Sequence, residues 1–499
     1  MIEELIATPA SGNVALLAPG RKPLTYSGLR RQADRTRAAL RNLGFRQEDR
    51  ISIVLPNGPE LAAAFVSVSI AATAAPLNPA YSIDEFRFYL GDIGASALAT
   101  IPGFCPAAEQ AAASLGIPVL WVAYSSSEAA GTFSIQSGQK RFETGRCEAG
   151  AGAGPALLLH SSGTTSRPKL IGLTQQNLCA SARSIAGCLG LVPGDRALNI
   201  MPLFHIHGLV GCLLSSLSAG ASIYCTSGFD ALKFGRQMRD AEPTWYSAVP
   251  SMHQALLGRA GEVVPQMVRP LRFVRSSSAH LDTRVWRGLE SVYECPALNA
   301  YGMTEAAHQI STNPLPPGER RYGSAGLAAG PEVAIVDDRD KLQPPGMTGE
   351  IAIRGVSVIR QYLQPTEVNR TAFANGWLRT GDQGAIDADG YVSITGRLKE
   401  LINVGGEKIS PAEIDAVLMQ HPAVVQAVTF GARCDSRGER ICAAVILDRE
   451  TTVAELKGFV RERLARFKTP STVLMLSEIP KGPTGKIQRI GMARRLGLE

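Results

Sequence analysis

Up to about residue 396 the chain alternates between two hydrophobic periods, and that alternation is what most limits its fold. Residues 26–43 carry apolar side chains at helical spacing with Arg and Asp between them, and residues 50–55 form a short apolar run. The turn Pro56-Asn57-Gly58-Pro59 then leads into an Ala-rich apolar stretch, 61–75, which reads as one core helix. Apolar positions three and four apart mark a helix face, whereas short apolar runs between turn residues mark buried strands. Strands alternating with helices imply largely parallel sheets with helices packed on them. A chain of 499 residues also exceeds what one core supports, ~250–300 residues. The pattern changes after Gly396-Arg397-Leu398-Lys399. Beyond it, 411–419 reads as an amphipathic helix with Pro at its start and acids in its early turns. Residues 424–430 and 441–447 read as strands, and 453–464 as a second helix. The predicted fold is α/β: a large N-terminal domain (1–396) of helix-covered mixed sheets and a small α+β C-terminal domain (397–499).

Composition excludes several classes. Hydrophobic content of 45% with 19% charged residues belongs to a packed globular protein, not a disordered one. The net charge of +7 favours anionic ligands, but no basic run is long enough to suggest nucleic acid. The nine cysteines are scattered, with no C-x-x-C pair and no His at metal spacing, and read as reduced, mostly buried thiols. Met1-Ile2-Glu3-Glu4 has neither a basic nor an apolar leader region, and 61–75 is too short to span a bilayer. A cytoplasmic enzyme is expected.

The segment most suggestive of chemistry is His160-Ser161-Ser162-Gly163-Thr164-Thr165-Ser166-Arg167-Pro168-Lys169. It follows a strand-like run (156–159) and places five hydroxyl residues, a Gly and two cations in ten positions. Such a loop suits polyphosphate: Gly permits close backbone approach, hydroxyls and N–H groups donate, and cations offset charge. It does not fit the Walker pattern. Taken alone, it would also serve as an ordinary Ser/Thr turn.

Four further motifs lie downstream: Ala300-Tyr301-Gly302-Met303-Thr304-Glu305, Thr380-Gly381-Asp382, Gly396-Arg397-Leu398-Lys399-Glu400, and Pro483-Thr484-Gly485-Lys486. Their order resembles the adenylate-forming superfamily, which includes acyl-CoA synthetases, along nearly the whole chain. The resemblance implies the ligands ATP, CoA and Mg²⁺ and a mobile C-terminal domain. It assigns Ser161, Ser162, Gly163, Thr164, Thr165 and Lys169 to the β- and γ-phosphates, although Leu170 stands where Gly is usual. Thr304 would meet the α-phosphate and Glu305 would hold Mg²⁺, a hard cation that prefers oxygen ligands. As a bare sequence, Thr304-Glu305 also reads as a helix N-cap followed by an acid. Tyr301 would stack on adenine. Asp382, read as a turn carboxylate, would take the ribose hydroxyls, and Arg397 the sugar or the α-phosphate. Lys486 resembles the catalytic lysine that bridges carboxylate and α-phosphate. Lys399 occupies the hinge, and Gly405 and Gly406, in a hairpin-like loop, would line the pantetheine path.

Three stretches resemble oxalate–CoA ligases more than fatty acyl, acetyl or aryl ligases. They are Pro202-Leu203-Phe204-His205-Ile206-His207-Gly208, Arg275-Ser276-Ser277-Ser278-Ala279, and Thr304 through His308 to Pro316. Oxalate carries two charges on two carbons, so its pocket must be small and rich in donors, unlike a fatty-acid tunnel. His207, Ser278 and His308 are candidates for the distal carboxylate, and His205 resembles the gate of acyl-CoA ligases. The expected reaction converts oxalate to its CoA thioester through an acyl-adenylate. Alternatives are malonate, succinate or a short hydroxy acid, an enzyme loading a carrier-protein thiol, and a non-catalytic nucleotide-binding homologue. Lys486, Glu305, Asp382 and Arg397 together argue against the last.

Overall fold

The computed structural model describes residues 1–137, 154–161, 168–404, 407–434, 438–480 and 487–499. The chain forms two compact units. The first is drawn from Met1–Ser161, Lys169–Val333 and Ile353–Leu378, the second from Ala334–Ala352 and Arg379–Glu499.

In the first unit, among the described residues, two large sheets dominate. One runs in the order Ser134–Gln136, Val119–Ala123, Ala97–Thr100, Arg50–Val54, Thr73–Pro76, Leu157–His160, Leu170–Leu173. Its inner pairs are parallel and its two outermost pairs antiparallel. The helix Tyr26–Asn42 lies where helical spacing places it, its start capped by Thr25, whose hydroxyl accepts from Gly28 N–H at 3.1 Å. The 61–75 stretch is not one helix. Pro59–Ala71 is helical and buried nearly all round, and Thr73–Pro76 is a strand parallel to Arg50–Val54. Uniformly apolar sequence hides this break, because periodicity cannot separate a buried helix from a buried strand.

The second sheet contains parallel neighbours Ser222–Cys225, Arg196–Asn199, Trp245–Ala248, Phe273–Ser276 and Ala297–Met303, with His308–Thr312 antiparallel to the last. Phe234, Tyr246, Trp286 and Leu289 pack one face. In open α/β sheets the carboxyl ends of parallel strands are where ligands bind. Ser247, Arg275 and Tyr301 lie at or near such ends.

In the second unit, Gly438–Leu447 is the centre of a sheet, paired antiparallel with Val424–Cys434 and parallel with Thr472–Met475. Period-2 alternation gives it two dry faces. Ile441, Ala443 and Val445 meet Ile414 and Leu418 of the helix Pro411–Leu418 together with Leu456 and Val460 of Val453–Arg461. On the other face, Cys442 and Ala444 meet Phe430, Ile479 and Met492. The α+β expectation for this region matches the structure, with strands longer and the second helix shorter than periodicity suggested. The eight described cysteines are all unbonded and six are buried. Among the described residues, no helix is long and apolar enough to cross a membrane.

Candidate active site

The strands Leu157–His160 and Leu170–Leu173 form an antiparallel pair whose connection is the hydroxyl-rich loop. The neck of the loop is closed: Ser161 N–H donates to the Lys169 carbonyl at 2.9 Å, and Lys169 N–H donates to Ser161 Oγ at 3.2 Å. Ser162, Gly163, Thr164 and Thr165 lie outside the described residues. Below the neck, His160 Nε2 meets the buried Asp92 carboxylate at 2.9 Å. Lys169 Nζ sits 4.2 Å from the ring centroid of Tyr362, a cation–π contact. Burial raises the pKa of the Tyr362 hydroxyl, which keeps its proton and donates to Glu305 Oε1 at 2.9 Å. A cation, a phenol and a buried carboxylate thus stand in series from Lys169 at the neck.

Glu305 belongs to the short 3₁₀ turn Thr304–Ala306, which follows the strand carrying Tyr301. Its N-cap is Met303, so Thr304 is not the capping residue its sequence suggested; Thr304 lies inside the turn and is half-buried. Tyr301 is 9% exposed. Gly302 admits no side chain, since a Cβ there would lie 1.5 Å from the His308 carbonyl oxygen.

A second cluster forms where three neighbouring segments end. His207 opens the π-helical segment His207–Leu214, and its Nε2 meets Ser247 Oγ at 2.7 Å while Nδ1 meets Ser278 Oγ at 3.2 Å. The His207 and His308 rings stack at 4.8 Å. Arg275 joins them, placing Nη1 3.0 Å from His308 Nε2 and 3.4 Å from Ser247 Oγ, and Nη2 3.1 Å from Gln309 Oε1. Arg275 is 0% exposed, and among the described residues no carboxylate pairs with it. Ser278 and His308 both have positive φ, 73° and 101°, a strained conformation outside Gly. His205 is half-buried, its Nδ1 3.4 Å from His207 N–H.

In the second unit, Asp382 lies in the strand Trp377–Ile386, not in a turn. The residue before it, Gly381, has φ 76°, and Asp382 is registered opposite Arg397 on Val392–Arg397. The two side chains pair at 2.8 Å, with Asp382 buried and Arg397 about half-exposed. Lys399 sits in the 3₁₀ turn Leu398–Glu400. The strands Ile402–Val404 and Glu407–Ile409 form a hairpin, and Gly405 and Gly406 between them lie outside the described residues, as does Lys486.

The AMP-binding enzyme family model matches residues 5–363, and the AMP-binding enzyme C-terminal domain model matches residues 413–486. The chain belongs to the AMP-binding enzyme family. It is 40% identical over 495 residues to an oxalate–CoA ligase of Arabidopsis thaliana, with 96% of each chain covered. It is 34% identical to a sulfoacetate–CoA ligase of Cupriavidus necator, covering 94% of this chain and 91% of that protein. It superimposes with a TM-score of 0.81, at 28% identity and 98% coverage of both chains, on the o-succinylbenzoate coenzyme A synthetase of Bacillus subtilis in complex with ATP and magnesium ion. Its class is that of the adenylate-forming acyl-CoA ligases, whose substrates are an acid, ATP and CoA.

Within this AMP-binding enzyme the structure brings His207, Ser278 and His308 together, and places Glu305 beside Lys169 through Tyr362. Sequence reasoning missed Tyr362, Ser247, Gly211 and the role of Arg275. One signal was present: Arg275 is a lone cation following the apolar Phe273 and Val274 in a strand that is buried throughout. Among the described residues no group of three or more His, Cys, Asp or Glu is placed to hold a metal ion.

Proposed function

We propose that this acyl-CoA ligase acts on a small dianion, oxalate first. The observation that carries the reading is Arg275. A fully buried guanidinium without a carboxylate partner is costly unless an anion compensates it. Around it stand Ser247, His207, Ser278 and His308, all polar, where an acyl tail would call for apolar lining. The names of the relatives agree, since oxalate and sulfoacetate both carry a second anionic group on a two-carbon frame.

The residue roles follow the family resemblance. The loop from Ser161 to Lys169 holds the β- and γ-phosphates, Tyr301 stacks on adenine, and Asp382 with Arg397 holds the ribose. Glu305 fits Mg²⁺: a carboxylate has about four acceptor sites and can keep Tyr362 while bound to a hard cation. The metal supplies charge neutralisation on the phosphates. Thr304 and Lys486 bind oxygens around the α-phosphorus as one substrate carboxylate forms its O–P bond and pyrophosphate leaves. The C-terminal portion beyond 396 turns about Lys399, bringing Gly405 and Gly406 to the pantetheine path. The CoA thiol then attacks the acyl carbon, and AMP departs with the C–O bond electrons. His205 gates the acid site.

The test is pyrophosphate release and thioester yield over a panel of acids with ATP and CoA. Oxalate should have the highest kcat/KM, with sulfoacetate and malonate behind it and acetate and medium-chain acids far lower. A preference for acetate or a fatty acid would overturn the reading.

A further inference from the structure

The polar cluster has a direction. A guanidinium only donates, so the His308 Nε2 that Arg275 Nη1 reaches at 3.0 Å must be an acceptor. The proton of the neutral ring is then on Nδ1. Arg275 Nη1 also reaches Ser247 Oγ at 3.4 Å, and Ser247 Oγ lies 2.7 Å from His207 Nε2. Ser247 is 0% exposed, and among the described residues these two contacts are the partners of its hydroxyl. If Ser247 accepted from both neighbours, its own buried O–H would be unspent, which costs as much as a lost hydrogen bond. It therefore accepts from Arg275 and donates to His207 Nε2. His207 in turn carries its proton on Nδ1 and donates to Ser278 Oγ, 3.2 Å away. The Ser278 hydroxyl is left to donate outward, and Ser278 is the half-exposed end of the chain.

We propose that Arg275 is a positioning residue that sets the proton order of this network, holding His207 and His308 as neutral Nδ1–H tautomers so that donation runs outward to Ser278, whose hydroxyl is presented to an anion. The guanidinium acts through the two imidazoles and Ser247 as well as by its charge. Burial lowers its pKa to about 10, so it remains charged at neutral pH. The titratable groups packed around it do not compete. Cys188 and Cys212 are thiols whose pKa values burial raises, Cys212 to about 12, and His253, bound to the Arg275 carbonyl, is held neutral by burial. The result is a receptor in which donation runs one way, which a second carboxylate satisfies and a methyl group does not. The proposal rests on the dianion reading for the identity of that acceptor, whereas the tautomers are measurable without any substrate.

The experiment uses the full chain with ¹⁵N-labelled histidine and two-bond ¹⁵N–¹H spectra, with signals assigned by His207→Gln and His308→Gln. The wild type should show both rings neutral and protonated on Nδ1 near neutral pH. Ser247→Ala should change the His207 signature and leave that of His308. Arg275→Met should change His308 and raise KM for oxalate about tenfold or more, with KM for acetate and for ATP altered less than about twofold. Arg275→Lys, which keeps a buried charged donor, should restore part of both effects. An Nε2–H tautomer at His308 in the wild type would overturn the proposal. So would an unchanged His207 in Ser247→Ala, or equal losses with oxalate and acetate in Arg275→Met. Should Arg275→Met not fold, the wild-type and Ser247→Ala spectra decide. If the tautomers are as expected while the wild type prefers a monocarboxylate, the proton order stands and the oxalate reading falls.

Discussion

At Gly211 the side chain is one hydrogen, and a Cβ there would lie 2.6 Å from His308 Nε2 and 3.2 Å from His207 Cδ2. The two stacked rings therefore depend on an absent methyl group. Gly211→Ala should push His308 off Arg275, at the ~1–3 kcal/mol typical of overpacking. KM for oxalate should rise about tenfold or more while KM for ATP stays within about twofold. Steady-state kinetics for both substrates would check this, and equal changes in the two constants would contradict it. His253 makes a different prediction. It is 0% exposed, between the Tyr246 hydroxyl and the Arg275 carbonyl, and burial lowers its pKa from 6.5 to about 4. The unfolded chain takes up this proton first, so the contribution is complete above about pH 6.5 and disappears as pH falls through about 4. Its size is of order 3 kcal/mol. The thermal midpoint should fall between pH 6.5 and 5, above the range where most carboxylates titrate, and His253→Gln should flatten that slope. An unchanged slope in the variant would assign the loss elsewhere.

Elements position these residues in ways their own sequences do not announce. The π-helical segment His207–Leu214 sets His207 and Gly211 against the same imidazole, and such wide turns recur at functional sites. The strand Phe273–Ser276 delivers Arg275 opposite Ser247 because the two strands pair in parallel with those residues in register. The 3₁₀ turn Leu398–Glu400 places Lys399 one residue before Glu400, which takes Arg489 at 3.2 Å. Proline at 399 would fix its φ and bias Leu398 out of helical geometry. If the chain rotates here, Lys399→Pro should spare one half-reaction and suppress the other, read as pyrophosphate exchange against thioester yield from preformed adenylate. Equal activity in both would remove the hinge from this position. The helices and strands themselves were legible where apolar spacing was distinct, as in Tyr26–Asn42 and Pro411–Leu418. The boundary between Ala71 and Thr73 was not, because Ala and Val fit either period.

For the whole molecule, the family assignment implies two reactions at one nucleotide, and if Lys486 serves only the first, its removal should separate them. Lys486→Ala is expected to slow adenylate formation by an amount corresponding to about 3 kcal/mol of lost charge stabilisation. Thioester formation from preformed adenylate should fall much less. Rapid-quench measurement of each step would test this, and parallel losses would deny Lys486 its separate role.

The sequence by itself determined the α/β class, the C-terminal α+β region, the family and the composition of the hydroxyl-rich loop. Each of these is written locally, as periodicity, turn chemistry and motif order, and needs no knowledge of what lies across a sheet. It also nominated His207, Ser278 and His308 for one cluster. Tertiary structure decided what those residues do for one another. Arg275 and His308 are 33 residues apart, and Tyr362 and Glu305 are 57 apart. Their hydrogen bonds exist because parallel strands end side by side and chain crossings bring distant segments into register. Asp382 shows the same limit, since its Thr-Gly-Asp sequence reads as a turn while pairing with Val392–Arg397 makes it a strand. Local preference fixes which elements a chain can form, and burial with hydrogen-bond satisfaction fixes which side chains must share protons.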